Sequence, residues 1–545
     1  MIRAIIFILL FVTETTGGFT QNLKITYSSP NGITRLNYGQ NSLIDFSKGL
    51  GRGFAAEVVK RIQKGGQIVF EWSHLESQSW NDATKELTSI FSWGSVVIRY
   101  QQVQDTLNAR ITILNYTKSD TLCGLSFCPL SLNVGKRPSN FQPSFPYYSN
   151  NISTPGVVDA HLGTYNVLIE NPEVQKKVYM GLLEENGTNG SLYRIWNGNV
   201  PFNGMTEFNS AVELRLPPGK TYSYTMSVKF VKPNQSLNKV AAKALQNFRA
   251  NQPSVMKWTD RRPIAELFLG SYNGNKRAKN PRNWVIYNAD EVDIKSKAGL
   301  QQFAINAKKY ALSSIGYLKN LNAQGMIVWD IEGQEYPHPL TYIGSPELTD
   351  RLAPEINTIA DEFFSVFLKA GFKTGICIRP DTVVFKGEWI EHHAVPNPAI
   401  TLISKIKYAR KRWGCTIFYV DSNLDPNSRL MTAEVFKTVN RAIPDVLLIP
   451  EHEDVQYYNY TAPYVDLKQE QSLLVDPAVK EINPDAFKVI TVSEGLRKSA
   501  QENLRQLTES VSAGNILLFR GWYPDEPTHS LIKKAMQLKS AKISK

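Results

Sequence analysis

Residues 326–335 read Met-Ile-Val-Trp-Asp-Ile-Glu-Gly-Gln-Glu, a short apolar run that leads into acidic residues. Comparable apolar runs, most of which end in charged residues, recur through the second half of the chain, and each predicts a strand. Eight of them follow residue 260, at Leu267–Tyr272, Trp284–Asn288, Met326–Asp330, Lys373–Arg379, Thr416–Asp421, Val446–Pro450, Phe487–Val492 and Ile516–Arg520.

Amphipathic segments separate these runs. Between residues 354 and 370 the apolar side chains recur at helical spacing, and Gly371 follows as a stop signal. Further helices are predicted at 298–321, 432–442, 496–512 and 528–538. Strands alternating with helices in this way are typical of a (β/α)8 barrel of the TIM type. An open doubly wound sheet is the alternative, because residues 273–282, where the first crossover helix should lie, resemble a loop.

The first half of the chain has a different pattern. Runs with period-two or aromatic-rich character recur between turn residues, which predicts an all-β sandwich. They lie at 67–75, 95–103, 109–116, 165–170, 178–183, 211–216 and 221–231, and helical spacing follows at 236–250. We therefore predict a signal peptide (1–18), a β-sandwich domain (19–235), a helical linker (236–260) and a catalytic barrel (261–545).

Composition excludes several classes of protein. The 545 residues are 42% hydrophobic and 20% charged, which is unlike a disordered chain or a small disulfide scaffold. The net charge of +12 (61 basic minus 49 acidic residues) includes no run of five or six basic residues. We therefore expect no nucleic-acid partner.

The N-terminus predicts export. Arg3 precedes an apolar run from Ala4 to Val12, and small or polar residues follow through Gly18. This order is typical of a secretory signal peptide, so we expect a secreted or periplasmic protein. No later stretch has the roughly 20 apolar residues that a membrane-spanning helix requires. Cys123 and Cys128 lie in a predicted turn and could form a disulfide there, whereas Cys377 and Cys415 lie in apolar runs.

The predicted strands of the second half bring acids together. In a barrel the carboxyl ends of all strands meet at one face, where catalytic residues lie. Asp330, Asp421 and Glu451 come directly after three of these strands. Glycoside cleavage uses two carboxyl groups, one that protonates the leaving oxygen and one that acts as nucleophile or base. We therefore predict these three as the catalytic candidates.

Other strand-end side chains suit substrate binding. Arginine keeps a neighbouring carboxylate ionised, and flat aromatic side chains contact sugar rings. The predicted substrate-binding residues are Trp329, Glu332, Arg379, Asp381, Glu453, Arg520, Trp522 and Tyr523.

Each acid also has a structural interpretation. A single Asp at a strand end is commonly a helix cap or a turn former, which applies to Asp381 and Asp421. The arginines could pair with these acids for structural reasons alone. Residues 451–454 fit a solvated acidic turn or a Ca2+ loop, so Ca2+ is the only cofactor that the sequence leaves open.

A β-sandwich, a helical linker and a barrel with acids at these strand ends resemble the secreted glycoside hydrolases of clan D, which include the α-galactosidases. In that clan the nucleophile and the acid/base follow strands four and six. Asp330 and Asp421 follow strands three and five of the predicted count. The resemblance implies Asp330 as nucleophile and Asp421 as acid/base of a retaining enzyme, with Glu451 as the substitute for either. Arg379-Pro380-Asp381 also resembles the R-x-D of amylase-type nucleophiles.

Two further hypotheses stand beside a glycoside hydrolase that acts on an oligo- or polysaccharide. One is a non-catalytic glycan-binding protein, because a barrel fold does not fix an activity. The other is a metal-assisted hydrolase with Asp330, Glu332, Glu451 and Asp454 as oxygen ligands.

Overall fold

A computed structural model describes residues 22–543 apart from several gaps. The gaps are residues 52, 55–57, 65–66, 134–142, 145–156, 162–164, 174–175, 177, 188–189, 199–215, 233–238, 240–241, 243–245, 247–248, 251–252, 271–276, 287–291, 337, 339–340, 388, 425–429, 455, 468–472, 476–478, 481–482 and 493–495. The predicted signal peptide lies outside the described residues, as do most of the predicted strand 211–216 and much of the predicted linker helix.

The first half folds into antiparallel sheets. Its strands are β1 (Leu23–Ser28), β2 (Gly32–Tyr38), β3 (Asn41–Asp45), β4 (Val58–Lys64), β5 (Gln67–Ser73), β6 (Ser77–Asn81), β7 (Glu86–Phe91), β8 (Gly94–Val103), β9 (Thr106–Asn115), β10 (Thr121–Asn133), β11 (Pro143–Ser144), β12 (Val157–His161), β13 (Asn166–Glu170), β14 (Tyr179–Gly187), β15 (Gly190–Gly198) and β16 (Thr221–Val231). The sheet orders are β1-β2-β3, β14-β15-β10-β4-β5 and β11-β12-β13-β16-β9-β8-β7-β6.

Alternation explains why these sheets pack face to face. In β9 the side chains of Leu107, Ala109, Ile111 and Ile113 are fully buried, while those between them are more exposed. A strand that buries every second residue covers one face of its sheet with apolar surface. The buried residues of all three sheets form one hydrophobic core. The predicted β-sandwich is confirmed.

The second half forms one parallel sheet of eight strands. These are β17 (Ile264–Leu267), β18 (Gly325–Val328), β19 (Thr374–Ile378), β22 (Cys415–Val420), β23 (Leu447–Pro450), β24 (Tyr464–Asp466), β25 (Val489–Thr491) and β26 (Ile516–Arg520), called barrel strands 1 to 8 below. A separate hairpin, β20 (Thr382–Lys386) and β21 (Trp389–His393), follows barrel strand 3.

Sheet order distinguishes a barrel from an open sheet. Barrel strands 1 to 5 are neighbours in sequence order, and strands 8, 7 and 6 continue from strand 1 on its other side. A doubly wound sheet would reverse direction inside the sheet, and this one does not. The backbone N–H of Ala462 donates to the carbonyl of Leu448 (3.0 Å), which joins barrel strands 5 and 6. The predicted (β/α)8 barrel is confirmed.

Eight barrel strands are predicted and eight are observed, but the numbers of predicted strands three to six are too high by one. Trp284 makes only an isolated antiparallel bridge to Gly270, so the predicted strand at 284–288 is not part of the barrel. The strand that the prediction lacked is β24, which has only three residues. Asp330 therefore follows barrel strand 2, Asp421 follows strand 4 and Glu451 follows strand 5.

Helices surround the barrel. They are α1 (Lys297–Asn320), α2 (Thr349–Leu352), α3 (Pro354–Asn357), α4 (Ala360–Lys369), α5 (Pro398–Trp413), α6 (Ala433–Ala442), α7 (Ala500–Ser512) and α8 (Glu526–Ile543). Helix α5 was not predicted, although its ends carry strong signals. Asn397 caps the Ile400 N–H (3.2 Å), Pro398 is the first helical residue, and Gly414 ends the helix with φ +66°. None of the described helices is both long enough and apolar enough to cross a membrane.

Cys123 and Cys128 both lie on β10, not in the turn that the sequence predicts. Five residues of extended strand separate their Cα atoms by roughly 16 Å. A disulfide requires about 7 Å or less, so these two buried cysteines are too far apart to be bonded to each other.

The two halves share a core. Tyr458, Val475, Val479 and Ala486, all between barrel strands 5 and 7, belong to the hydrophobic core of the sandwich. The sandwich is therefore packed against this side of the barrel.

Candidate active site

The barrel interior fixes which strand-end side chains can meet. Trp329, Cys377, Tyr419, Ile449 and Leu518 pack together inside the barrel. Successive side chains of a strand point to opposite faces, so a residue two positions further along faces the interior as well. This places Glu266, Arg379, Asp421, Glu451, Thr491 and Arg520 on the interior face at the carboxyl ends of their strands.

Asp421 is a buried carboxyl group beside a cation. Its side chain is 8% exposed, and its Oδ2 lies 3.5 Å from the Nε of Arg379. Burial, together with the negative charge of Glu451, raises the pKa of Asp421 to about 7, although Arg379 acts in the opposite direction. Asp421 can therefore exist in either protonation state near neutral pH.

Glu451 holds the backbone next to Asp421. Its Oε2 accepts a hydrogen bond from the Ser422 N–H (2.8 Å) and lies 3.5 Å from the Nε2 of His452. Ser422 has a φ of +48°, a left-handed conformation that a residue with a Cβ rarely adopts. The carboxylate of Glu451 thus stabilises a strained turn directly after Asp421.

Asp330 has a different environment. It follows the interior residue Trp329 by one position, so it faces away from the barrel interior. Its Oδ1 accepts the Leu269 N–H (2.8 Å) and its Oδ2 accepts the Gly270 N–H (2.6 Å). Burial raises its pKa to about 6, although these two hydrogen bonds act to lower it. These contacts show that Asp330 holds the segment after barrel strand 1.

Glu332 is also engaged in structure. It is completely buried, and its Oε1 accepts the Ser345 N–H (2.7 Å). Burial raises its pKa to about 8, so the neutral carboxyl is favoured at pH 7. The Nζ of Lys405 lies nearby and donates to the Ser345 hydroxyl (2.9 Å). The predicted contact of Glu332 with substrate has no exposed surface to support it.

Arg379 is the centre of a charged network. Its Nε lies 3.4 Å from the Oδ2 of Asp381, and its Nη1 lies 3.9 Å from the Oε2 of Glu335. His392 of strand β21 bridges the same two acids, through Nδ1 to Asp381 (2.9 Å) and Nε2 to Glu335 (3.1 Å). Burial acts to lower the pKa of His392, but the two carboxylates raise it on balance. The network holds the guanidinium beside Asp421.

Sequence reasoning missed His392 because it lies on an added hairpin. No strand-end rule points to that position. The one signal in the sequence is the run of titratable residues Glu391-His392-His393.

Aromatic side chains line the interior next to these acids. The Trp329 ring centroid lies 4.3 Å from that of Tyr419, 5.4 Å from that of Tyr342 and 5.9 Å from that of Phe268. The Trp329 Nε1 is buried, with no hydrogen-bond partner among the described residues. Trp522 packs edge-on against Phe268 (5.0 Å). These rings form one packed aromatic cluster at the barrel interior, and sugar binding by Trp329 and Trp522 stays a prediction.

The remaining predicted binding residues lie at different places. Tyr523 is 51% exposed, so its ring is available at the surface. Arg520 lies on the interior face of barrel strand 8 and is partly buried. Glu453 does not join Asp421: its Oε2 lies 3.0 Å from the Nζ of Lys488 and accepts the Tyr458 hydroxyl (2.6 Å). Because Tyr458 belongs to the sandwich core, Glu453 lies at the junction of the domains.

Asp466 and Tyr464 of barrel strand 6 add to the polar residues at the barrel mouth. Asp466 ends barrel strand 6 on the same face as Tyr464, which packs against the interior cluster. Burial, followed by the charges of Glu266, Asp466 and Glu451, raises the pKa of Tyr464. Glu266 also accepts a hydrogen bond from the Thr491 hydroxyl. Asp466 ends an apolar run at Tyr464–Val465, a signal that the sequence analysis overlooked because the strand is so short.

The four oxygen ligands of the metal hypothesis do not converge. Asp330, Glu332 and Glu451 accept hydrogen bonds from four separate backbone N–H groups, and Asp454 accepts the Gln456 N–H (2.7 Å). Within the described part of the chain, no group of three or more His, Cys, Asp or Glu could hold a metal ion.

Comparison with known proteins finds similarity in fold. No protein-family model and no curated protein matches the chain. The GH36 α-galactosidase AgaB from Geobacillus stearothermophilus has 10% sequence identity and a TM-score of 0.44, over 88% of this chain and 75% of that enzyme. The α-galactosidase from Lactobacillus brevis has 9% identity and a TM-score of 0.42, over 90% and 71%. A variant of AgaA solved with raffinose has 10% identity and a TM-score of 0.41, over 92% and 74%.

Proposed function

We propose that this protein is an exported glycoside hydrolase of the retaining type, with Asp421 as nucleophile and Asp466 as acid/base. The observation that carries the proposal is the arrangement of carboxyl groups and Arg379 at one mouth of the barrel. Asp421, Glu451 and Asp466 follow three consecutive strands and share the interior face. Retaining cleavage requires two carboxyl groups that face one sugar.

Charge and position support the role of Asp421. A nucleophile must be ionised, and the guanidinium 3.5 Å away favours the carboxylate form. The corrected strand count puts Asp421 after strand 4 and Asp466 after strand 6. These are the two positions that hold nucleophile and acid/base in the clan D enzymes that the sequence resembles. The proposal therefore moves the nucleophile from Asp330 to Asp421 and the acid/base from Asp421 to Asp466.

The reaction then has two steps. The Asp421 carboxylate bonds to the anomeric carbon while the bond to the leaving oxygen breaks, and that oxygen takes the proton of Asp466. The resulting glycosyl ester is cleaved by a water molecule, whose proton Asp466 accepts as base. Trp329 and its aromatic neighbours would form the base of the sugar site. Glu451 acts on Asp421 through Ser422 and is a positioning residue.

The test is hydrolysis of glycosides by the purified mature protein. The panel holds aryl α- and β-glycosides, natural polysaccharides, and α-galactosides such as raffinose, which an AgaA variant binds. For the substrate that is cleaved, Asp421→Asn should lower kcat by about 10³-fold or more. Azide should restore turnover of Asp466→Asn with an activated aryl glycoside and give a glycosyl azide of retained configuration.

Two results would contradict the proposal. One is wild-type turnover in Asp421→Asn after a contaminating enzyme has been excluded. The other is glycan binding without cleavage of any member of the panel, which would favour the non-catalytic glycan-binding hypothesis. Leu312→Gln, at an exposed position of α1, is the matched control for handling and expression.

Export is part of the proposal. It rests on the sequence pattern of residues 3–18 alone. N-terminal sequencing of the protein recovered outside the expressing cell should begin near residue 19.

A further inference from the structure

The hairpin β20–β21 is fixed beside the barrel by a small apolar cluster of its own. Val383 lies opposite His392 and Phe385 lies opposite Ile390, so these four side chains share one face of the hairpin. Ile390 belongs to a buried cluster, and Val383 and Phe385 pack against it. The guanidinium of Arg351 on α2 stacks on the Phe385 ring, 3.4 Å from the ring centroid. These contacts hold His392 in a defined place.

His392 lies between two acids from different barrel loops. Its Nδ1 is 2.9 Å from the Oδ2 of Asp381, which follows barrel strand 3, and its Nε2 is 3.1 Å from the Oε2 of Glu335, which follows barrel strand 2. A neutral imidazole has one N–H group and donates to only one of these acids, whereas the imidazolium donates to both. Burial and the charge of Arg379 act to lower the pKa of His392, but the two acids raise it on balance. The arrangement therefore favours the imidazolium.

Arg379 is shared between Asp381 and the proposed nucleophile. Its Nη1 lies 3.1 Å from the Nε2 of His392 and donates to the carbonyl of Tyr342 (3.2 Å). Its Nε lies 3.4 Å from the Oδ2 of Asp381 and 3.5 Å from the Oδ2 of Asp421. Because Nε carries one hydrogen, it donates to only one of these two carboxylates at a time. The same Oδ2 of Asp381 lies closer to His392, at 2.9 Å, so His392 competes with Arg379 for Asp381.

We propose that the imidazolium of His392 binds Asp381 and Glu335 and thereby leaves the Nε of Arg379 to hold Asp421 as the carboxylate. His392 is then a positioning residue that acts on the nucleophile through Arg379. The inference rests on the proposed glycosidase function and adds a residue to its site. Without the charge of His392, Arg379 alone would serve three carboxylates.

The other charged groups around this network do not replace His392. The ammonium group of Lys405 on α5 donates to the carbonyl oxygens of Arg379 and Asp381 (2.9 Å each), and thus to backbone and not to a carboxylate. Glu391 and His393 lie on the opposite face of the hairpin, where 50% of the His393 side chain is exposed. His393 therefore provides a matched control on the same strand.

The test is the pH dependence of kcat/KM in His392→Gln, measured with the glycoside that the panel identifies. Without the imidazolium, Arg379 should close on Asp381, and the pKa of Asp421 should rise by about one unit. Relative to wild type, kcat/KM should then fall about tenfold at about pH 6 and approach wild type at about pH 9, where Asp421 is ionised in both proteins. His392→Phe keeps a ring without N–H groups and should do the same. His393→Gln should keep the wild-type profile.

A purely structural role of His392 would give a different profile. Loss of kcat/KM by the same factor at every pH, in both His392 variants, overturns the proposal. Competition for Arg379 is tested by adding Asp381→Asn to His392→Gln, because this removes the second acceptor. The midpoint of the pH profile should return to the wild-type value or below it, and a midpoint that stays high also overturns the proposal.

Titration of His392 tests its charge without any need for catalysis. The chain has seven histidines, and in protein labelled with ¹³C in the histidine rings the His392 signal is the one that His392→Gln lacks. Its midpoint should lie above the ordinary value of about 6.5 and should fall in Glu335→Gln. A midpoint at or below about 6.5 overturns the role of His392 while the hydrolase stands. A raised midpoint with no glycoside cleaved overturns the hydrolase, and with it the catalytic role of His392, and leaves only the ion pairs.

Discussion

Asp330 and Asp421 come from the same sequence pattern, yet the fold uses them differently. Each follows an apolar strand, and each residue, counted with its backbone, is 6% exposed. Asp330 turns outward and accepts two backbone N–H groups, whereas Asp421 turns inward and faces Arg379 and Glu451. The first arrangement holds a loop, and the second is the one that we propose for the nucleophile.

The two acids face different ways because the residue immediately before each of them lies on a different face of its strand. In barrel strand 2 the last interior residue is Trp329, so the acid that follows it points out. In barrel strand 4 the last interior strand residue is Tyr419, and Val420 intervenes before the acid, so Asp421 points in. A shift of one residue along a strand therefore decides whether a strand-end carboxylate faces away from the barrel interior or into it.

Removing the Asp330 carboxylate should have the largest effect on stability. Asp330→Ala leaves the buried N–H groups of Leu269 and Gly270 without acceptors, and each such loss costs about 1–3 kcal/mol. We expect the free energy of unfolding in urea to fall by roughly 2–5 kcal/mol, while kcat per folded molecule stays near wild type. A collapse of kcat in Asp330→Asn, with the protein still folded, would return the nucleophile to Asp330.

The pH dependence of catalysis sharpens the same comparison. The Asp421 carboxyl has a pKa of about 7 because of burial and Glu451, so the nucleophile is protonated below that pH and ionised above it. We expect kcat/KM to rise with pH through about 7. Glu451→Gln removes one negative charge and lowers the pKa of Asp421. The rise of kcat/KM with pH, called the acid limb below, should therefore move to lower pH by about one unit.

A matched variant distinguishes this electrostatic effect from general damage to the turn. Asp330→Asn lies outside the interior and should leave the acid limb in place. If Glu451→Gln lowers kcat without moving the limb, Glu451 acts only by holding the Ser422 backbone.

The sequence predicts much of this architecture because hydrophobic patterning determines it. The sandwich, six of the eight barrel strands and the strand-end acids Asp421 and Glu451 follow from apolar runs and their period, whereas the run at Leu267–Tyr272 shares only Leu267 with barrel strand 1. Two features were out of reach. Barrel strand 6 has three residues, too few to show a pattern, and the run that begins at Trp284, which was counted as a strand, shifted the count that assigned roles to Asp330 and Asp421. Which side chains face the barrel interior near Trp329 depends on register. The apolar run Met326–Trp329 does not reveal this because all its residues are buried.

The contacts of Glu453 and His392 could not be predicted for a different reason. Both depend on segments distant in sequence, namely the sandwich core beside Tyr458 and the hairpin β20–β21. Local patterning carries no information about such packing.

Glu453 allows the smallest of the expected effects to be measured. It follows the same strand as Glu451 by two further residues, but it pairs with Lys488 at the domain junction, where its side chain is 26% exposed. Lys488 is only 6% exposed, so Glu453→Gln removes the negative charge beside a buried ammonium group, although the amide oxygen of Gln can still accept a hydrogen bond. We expect Glu453→Gln to lower the free energy of unfolding by about 1–2 kcal/mol and to leave both kcat and the acid limb unchanged. A large loss of kcat in this variant, with the fold intact by circular dichroism, would show that the acids after barrel strand 5 act as one group and that the division between interior and junction is drawn in the wrong place.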